Sequence, residues 1–304
     1  MGSLSAAGFT VRLLVCSLLW ASGFLFMKLA GSASPLVIAA ARAGIAAVVL
    51  ATWFMLRGEN PLPRRDERVA WLTLGTLNGW LPNWLTAYAL TQIAAAQSAM
   101  IQASGPLMVA ALAHFAFSDE RLTGRRIAGL LIGFGGMAVL IGPAALTGGA
   151  GLSGILAMVA VSLSYAVGNI YARTVRELHP SRLALGQQTV SGIVAVVLVT
   201  VLVGGAAWPQ IGAAAAALLA LGVLATAVPI TIFMGLIRSA GPTRAAMIGY
   251  LMPVWATLLA VIFLGESVGL REIAGAATVL AGVFVVSTAP RAVQPAPSRP
   301  RSTR

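Results

Sequence analysis

Charge is what this sequence has least of. Only 9% of its 304 residues are Asp, Glu, Lys or Arg, against roughly 25% in a soluble domain. The eight carboxylates (Glu59, Asp66, Glu67, Asp119, Glu120, Glu177, Glu266 and Glu272) all fall between or at the ends of apolar runs. None lies mid-run, where proton relays and cation sites of membrane proteins keep one. Cysteine is nearly absent: Cys16 is the only one, which excludes an intramolecular disulfide, and inside an apolar run it reads as a small packing residue. No HExxH motif, no paired His or Asp, and no nucleophile–base pattern occurs. The sequence therefore offers no catalytic residue and no metal ligand set, and no cofactor is expected.

Apolar residues fill the space. The chain is 59% hydrophobic with a mean hydropathy of +0.90. Apolar runs fall at about 11–30, 36–56, 69–90, 95–117, 126–142, 152–172, 183–203, 213–236, 244–264 and 272–288. Each is near the roughly 20 residues a helix needs to cross hydrocarbon. The expected fold is all-α and integral to the membrane, with ten transmembrane helices. Continuous apolar runs exclude a transmembrane barrel, whose strands alternate. Residues 11–23 share features with a signal peptide but are read as an uncleaved first helix.

The net charge of +12 is a topology signal. Arg57, Arg64, Arg65 and Arg68 share one connection, Arg121, Arg125 and Arg126 a second, Arg173, Arg176 and Arg182 a third, Arg238 and Arg244 a fourth. The intervening connections near 91–94, 143–151 and 204–212 carry no Lys or Arg. This positive-inside pattern puts both termini in the cytoplasm and argues against a nucleic-acid partner. Residues 290–304, rich in Pro, Arg and Ser, read as a disordered cytoplasmic tail.

The chain is written twice. Residues 11–142 placed over 152–288 align at an offset of about 145 to 147. Trp20 falls on Tyr165, Gly23 on Gly168, Lys28 on Arg173, Pro35 on Pro180, Gly75 on Gly222, Pro82 on Pro229 and Pro106 on Pro253. After a one-residue slip Glu120 falls on Glu266. The expected units are a five-helix repeat at 1–145 and a second at 150–289. Five is odd, so the second unit enters the membrane from the opposite side. Inverted repeats characterise secondary transporters, with sites at the midplane between the halves and beside interrupted helices. "MIQASGPLM" (100–108) and "MIGYLMPVW" (247–255) carry a proline at the same relative place, so Pro106 and Pro253 are expected to break their helices alike. With Pro82 and Pro229 they form the candidate kink and gating set.

"LLWASGFLFMKLAG" and "SPLVIAAARAG" near the N-terminus, with the blocks "PLMVAALAHFAFSDERLTGRRIAGLLIGFGGMAVL" and "PVWATLLAVIFLGESVGLREIAGAATVLAGVFVV", resemble the EamA family of the drug/metabolite transporter superfamily. The resemblance covers nearly the whole chain, and within that family the size resembles the YddG-type amino-acid exporters. It implies a transporter in the inner membrane of a bacterium. The small multidrug exporters of the same superfamily use an intramembrane glutamate that this first helix lacks.

Candidate substrate-binding residues lie at matching depths of the two halves. Trp20 and Phe24 are one turn apart on the first helix, as are Tyr165 and Asn169 on the sixth. Asn78 and Thr226 precede Pro82 and Pro229; Gln102 and Tyr250 precede Pro106 and Pro253. Each could equally pack helices together. Arg42 is the one charge well inside a run, with Gln187 at the equivalent position. It can attract a carboxylate, bond backbone carbonyls, or snorkel outward. Lys28 reads as interfacial, and His114 as an interface residue with proton-accepting chemistry open to it. Glycines in 129–142 and 275–286 have close-packing spacing, for a structural or dimer face. The expected function is export of amino acids, aromatic or other apolar ones among them, and related small metabolites by alternating access, uncoupled from protons. The alternative is a multidrug or cationic-compound exporter. The expected partners are the small-molecule substrate and the lipid bilayer, with the chain either a monomer or a homodimer.

Overall fold

The computed structural model describes residues 6–117, 122–141, 151–175, 177–240 and 248–288. The tail at 290–304, Asp119, Glu120, Arg121, Arg176, Arg244 and the side chains of Arg238 and Tyr250 lie outside what it describes. Regular structure among the described residues is entirely helical. Helix α1 (Ala6–Leu29) and α2 (Pro35–Leu56) come first. A 3₁₀ turn at Arg65–Glu67 leads into α3 (Arg68–Gly75), a π-helical segment (Thr76–Trp80) and α4 (Leu81–Gln92). Helices α5 (Ala95–Gln102), α6 (Gly105–Ala116) and α7 (Gly124–Ile141) follow.

The later part opens with α8 (Leu152–Thr174) and α9 (Pro180–Leu202). Short helices α10 (Ala207–Ala213) and α11 (Ala215–Gly222) precede a second π-helical segment (Val223–Ala227) and α12 (Val228–Ala240). Helices α13 (Ile248–Leu264) and α14 (Leu270–Thr288) complete it. Six stretches, at 7–29, 35–56, 95–116, 152–174, 180–202 and 215–233, are long and apolar enough to cross a membrane. The other four runs expected to span fold as α3 with α4, α7, α13 and α14.

The prolines do not all act alike. Pro82 and Pro229 each follow a five-residue π-helical segment, and Gly79 in the first departs from helical angles (φ −117°, ψ −110°). Proline has no N–H, so the carbonyls of Asn78 and Ala225, four residues back, lose their ordinary partner, and the widened turn redistributes the bonds. Pro106 and Pro253 differ, which corrects the expectation of like breaks. Ala103 and Ser104 interrupt the helix before Pro106, where the Ser104 hydroxyl donates to the Ile101 carbonyl at 2.7 Å and the Ser104 carbonyl accepts from Leu107 N–H. Pro106 then sits in the first turn of α6, where no N–H is needed. Pro253 lies inside continuous α13, where the carbonyl of Gly249, four residues back, loses its ordinary helical partner.

Helices approach closely where glycine permits it, since apolar lipid gives helices no hydrophobic reason to associate. Helices α7 and α14 pack along their length: a Cβ on Gly136 would stand 2.6 Å from the Val279 nitrogen and 2.9 Å from the Gly275 carbonyl oxygen. A Cβ on Gly75 would stand 2.5 Å from Val190 Cβ, and one on Gly222 2.5 Å from Ile45 Cβ. Elsewhere α1 packs on α13 and α12, and α4 on α8.

Polar ties join distant segments at the helix ends. Glu266 accepts from the first amides of α5, Ala95 N–H at 2.8 Å and Ala96 N–H at 3.0 Å. The Gln210 side chain accepts from Ser34 N–H at 2.8 Å, ahead of α2. Arg182, expected in a basic connection, is instead buried in the first turn of α9. It donates Nε to Glu67 Oε1 at 2.8 Å, one NH2 bond to Glu67 Oε2 at 2.6 Å, and further bonds to the Asn60 and Leu62 carbonyls.

Candidate functional site

A cavity of about 510 Å³ lies among the helices. Helix α1 presents Trp20, Gly23, Phe24 and Met27 to it, at the spacing of one helical face. Helix α8 presents Ser162, Tyr165 and Asn169, again three and four residues apart. Gln102 and Pro106 come from the two sides of the break between α5 and α6. Asn78 and Thr226 come from the two π-helical segments, and Arg42 with Gln187 and Gln188 from α2 and α9. Pro253 lines the cavity; Pro82 and Pro229 are buried and do not. Gly249 and Met252 line it on either side of Tyr250. Of the nine candidate binding residues, the eight whose side chains are described therefore share one cavity.

Among the described residues, Arg42 is its one charged lining residue. Its Nε donates to Thr226 Oγ1 at 3.0 Å, and Thr226 Oγ1 donates in turn to the Leu221 carbonyl at 2.8 Å. This contact is inward, which corrects the snorkelling alternative. Across the cavity the equivalent Gln187 donates Nε2 to the Asn78 carbonyl at 2.8 Å, one of the carbonyls left unpaired by proline. Ser164 Oγ donates to the neighbouring Leu77 carbonyl at 2.6 Å. The π-helical segment before Pro82 is thus bonded at two carbonyls by polar side chains of the uninterrupted α8 and α9.

Three enclosed oxygens of lining residues have no hydrogen-bond partner among the described residues: Asn78 Oδ1, Ser162 Oγ and Gln188 Oε1. Ser162 and Gln188 are buried, at 0% and 4% exposure. Buried polar atoms are ordinarily satisfied, so these three mark unspent hydrogen-bonding capacity in residues around the cavity. The aromatic rings of Trp20, Phe24 and Tyr165 and the thioethers of Met27 and Met252 supply apolar contact area. Such a mixture of apolar wall and a few convergent polar groups suits a small organic molecule.

Sequence reasoning missed Asn83, Thr86, Ser162 and Gln188, all cavity-lining. Ser162 was detectable, standing one turn from Tyr165 on the same face; Gln188 was not, because its neighbour Gln187 was the one matched to Arg42. His114 lies away from the cavity, its Nδ1 accepting the Leu122 N–H at 3.1 Å. Lys28 sits in the last turn of α1. A hollow of about 610 Å³ lies over the 58–65 connection beside Arg182. Its wall is loop backbone and charged surface groups, and none of the candidate binding residues reaches it.

Apolar helices with interruptions around an internal cavity of apolar wall and a few polar groups match the architecture of a multi-pass membrane transporter. The chain belongs to the EamA-like transporter family, which matches residues 10–142 and again 152–288. It is 24% identical over 281 residues to a WAT1-related chloroplastic protein of Arabidopsis thaliana, an alignment spanning 88% of this chain and 66% of that protein. The chain thus spans just under two thirds of the length of that relative. One solved crystal structure shares the fold, with a TM-score of 0.65, 22% identity, and coverage of 92% of this chain and 96% of its own.

Proposed function

We propose that this protein exports amino acids and related small metabolites across the bacterial inner membrane by alternating access, without proton coupling. The observation that carries this reading is the cavity wall: among the described residues it holds one cation, Arg42, several neutral polar groups and aromatic surface, and no carboxylate. A wall of that kind suits a substrate bearing both a carboxylate and hydrogen-bond donors. It disfavours a cationic compound, which would face Arg42 with no compensating acid. The absence of a carboxylate also leaves no obvious proton carrier in the cavity wall.

Ten spans in two inverted five-helix repeats, at 1–145 and 150–289, with both termini cytoplasmic, complete the proposal. The family match to two successive segments supports the repeats. So do exchanged contacts: Gly75 against Val190 answers Gly222 against Ile45, and the two π-helical segments share the offset of their prolines. The Arg pattern supports the orientation. Interruptions before Pro82, Pro106 and Pro229, and Pro253 itself, are the bend points about which the pathway opens to alternate sides.

The test is uptake of a panel of labelled amino acids into proteoliposomes, with and without a pH gradient. Saturable uptake of at least one apolar amino acid is expected, unchanged by the gradient. Acceleration by an imposed proton gradient overturns the uncoupled part; no saturable uptake of any of them overturns the amino-acid reading.

A further inference from the structure

Resting on the exporter reading above, the geometry points to Arg42 as the group that recognises the substrate's carboxylate, with Thr226 as its positioning residue. Three observations combine. Among the described residues Arg42 is the lone charge on the cavity wall, and no described carboxylate lines that cavity to neutralise it. A guanidinium carried that deep in a helix bundle is costly unless a partner balances it.

The guanidinium is also aimed. Only Nε is engaged, by Thr226 Oγ1, and that hydroxyl is itself fixed by the Leu221 carbonyl. Thr226 therefore accepts from Arg42 and donates to the backbone, so its one proton is committed and its lone pair faces the arginine. This leaves the NH1 and NH2 edge, with the fork geometry that matches a carboxylate bidentately. NH2 also stands beside the face of α1 at Gly23, where a Cβ would be 4.0 Å away, in ordinary contact.

The third observation lies in the rest of the wall. Ser162 Oγ and Gln188 Oε1 are buried acceptors without a donor among the described residues. A guest that brings an acceptor pair to Arg42 satisfies the fork directly, and its N–H donors meet these oxygens once their side chains turn toward the cavity. An α-amino acid has both; a simple amine has only the second. The carboxylate is then the required group, and the ammonium adds to it.

Thr226 sits in the π-helical segment ahead of Pro229, while Arg42 belongs to the uninterrupted α2. The carboxylate is thus read at a joint between a rigid helix and an interrupted one. Its arrival changes the charge at that joint from +1 to zero, which gives the substrate a differential hold on the conformations of the interrupted helix.

The experiment compares four probes on the full-length protein in nanodiscs, by equilibrium binding: phenylalanine, its methyl ester, phenethylamine and 3-phenylpropanoate. Phenylalanine is expected to bind best and phenylpropanoate next, with the ester and amine weaker by about tenfold or more, the loss of a bidentate charge-assisted pair. Arg42→Gln is expected to level the four. Arg42→Lys keeps the charge but loses the fork and retains only part of the preference. Thr226→Val, which leaves the guanidinium in place but unaimed, is expected to raise KM for phenylalanine in proteoliposome transport more than it lowers kcat. Equal binding of phenylalanine and phenethylamine to the unaltered protein overturns the carboxylate inference while leaving the exporter reading standing. Binding of phenylpropanoate without phenylalanine overturns the amino-acid reading and keeps the role of Arg42; binding of none overturns both. The wild-type series decides the matter even if Arg42 variants fail to fold.

Discussion

At the scale of single residues the strongest polar contact lies outside the cavity, between Arg182 and Glu67. Two guanidinium nitrogens meet the two carboxylate oxygens, the Arg64 N–H donates to the same carboxylate at 2.9 Å, and Glu67 is 2% exposed. The Arg182 hydrogen bond is the largest influence holding the Glu67 carboxyl below its ordinary range, with the Arg64 amide assisting against the opposing cost of burial. A depressed folded pKa means that the stabilisation is complete above the unfolded value of about 4.3 and is lost as pH falls through the lower folded value. Glu67→Gln is therefore expected to lower thermal stability at pH 7, and the gap from wild type should close as the pH is taken toward 3. Glu67→Ala, which strands a buried guanidinium, should cost about 3–5 kcal/mol. Parallel wild-type and Glu67→Gln melting profiles across that pH range would count against the contact. None of this was legible beforehand: Arg182 reads in sequence as one more basic residue of a connection, and its partner is 115 positions away.

At the scale of helices, legibility followed the range of the interaction. The glycine spacing of 129–142 and 275–286 pointed to a close-packed pair, and α7 and α14 form one, because small side chains permit contact wherever the partner lies. The π-helical segments were not legible. A proline marks which carbonyl loses its partner, but the choice between a broken turn and a widened one depends on who takes the carbonyl instead. For Asn78 that is Gln187, and for Leu77 it is Ser164, both from distant helices. Pro106 and Pro253 share a sequence position and differ in conformation for the same reason, since Ser104 closes the turn ahead of one and nothing equivalent precedes the other. Two neighbouring glycines separate contact from mere propensity. Gly136→Leu forces a side chain into the α14 backbone at Val279 and Gly275, whereas nothing lies within 4 Å of a Cβ at Gly135. Overpacking of this kind costs about 1–3 kcal/mol, so Gly136→Leu is expected to lower the melting temperature and Gly135→Leu to leave it unchanged or slightly raised. Equal effects at the two positions would mean that helix propensity, and not the interface, governs this pair.

At the scale of the whole molecule, the proposed duplication rests on colinear prolines and glycines that are read directly from the sequence, and the eight candidate residues whose side chains are described line one cavity. The ties at the helix ends were not legible, since each reaches backbone far along the chain. In the proposed orientation Glu266 and Gln210 act on the outer face and Arg182 on the inner. Glu266 is suited to be an outer latch: its carboxylate takes the first two amides of α5, where the helix dipole also favours a negative charge. In the proposed alternating-access cycle, opening of the outer face is expected to separate the connection at 265–269 from α5 and to break those bonds. Hydrogen bonds to a charged acceptor contribute about 1.5–3 kcal/mol, so removing the charge shifts the balance between states by tenfold or more. Alanine 99, on α5 and lining the cavity, is a place to read that balance. With Cys16, the one native cysteine, replaced by alanine and a reporter thiol introduced by Ala99→Cys, a membrane-impermeant reagent added outside should label the Glu266→Gln protein several-fold faster. Arg182→Lys, which loosens the opposite face, should instead slow outside labelling. If Glu266→Gln leaves the outside rate unchanged while Arg182→Lys alters it, the carboxylate caps α5 without governing access, and control of the pathway rests with the inner clasp.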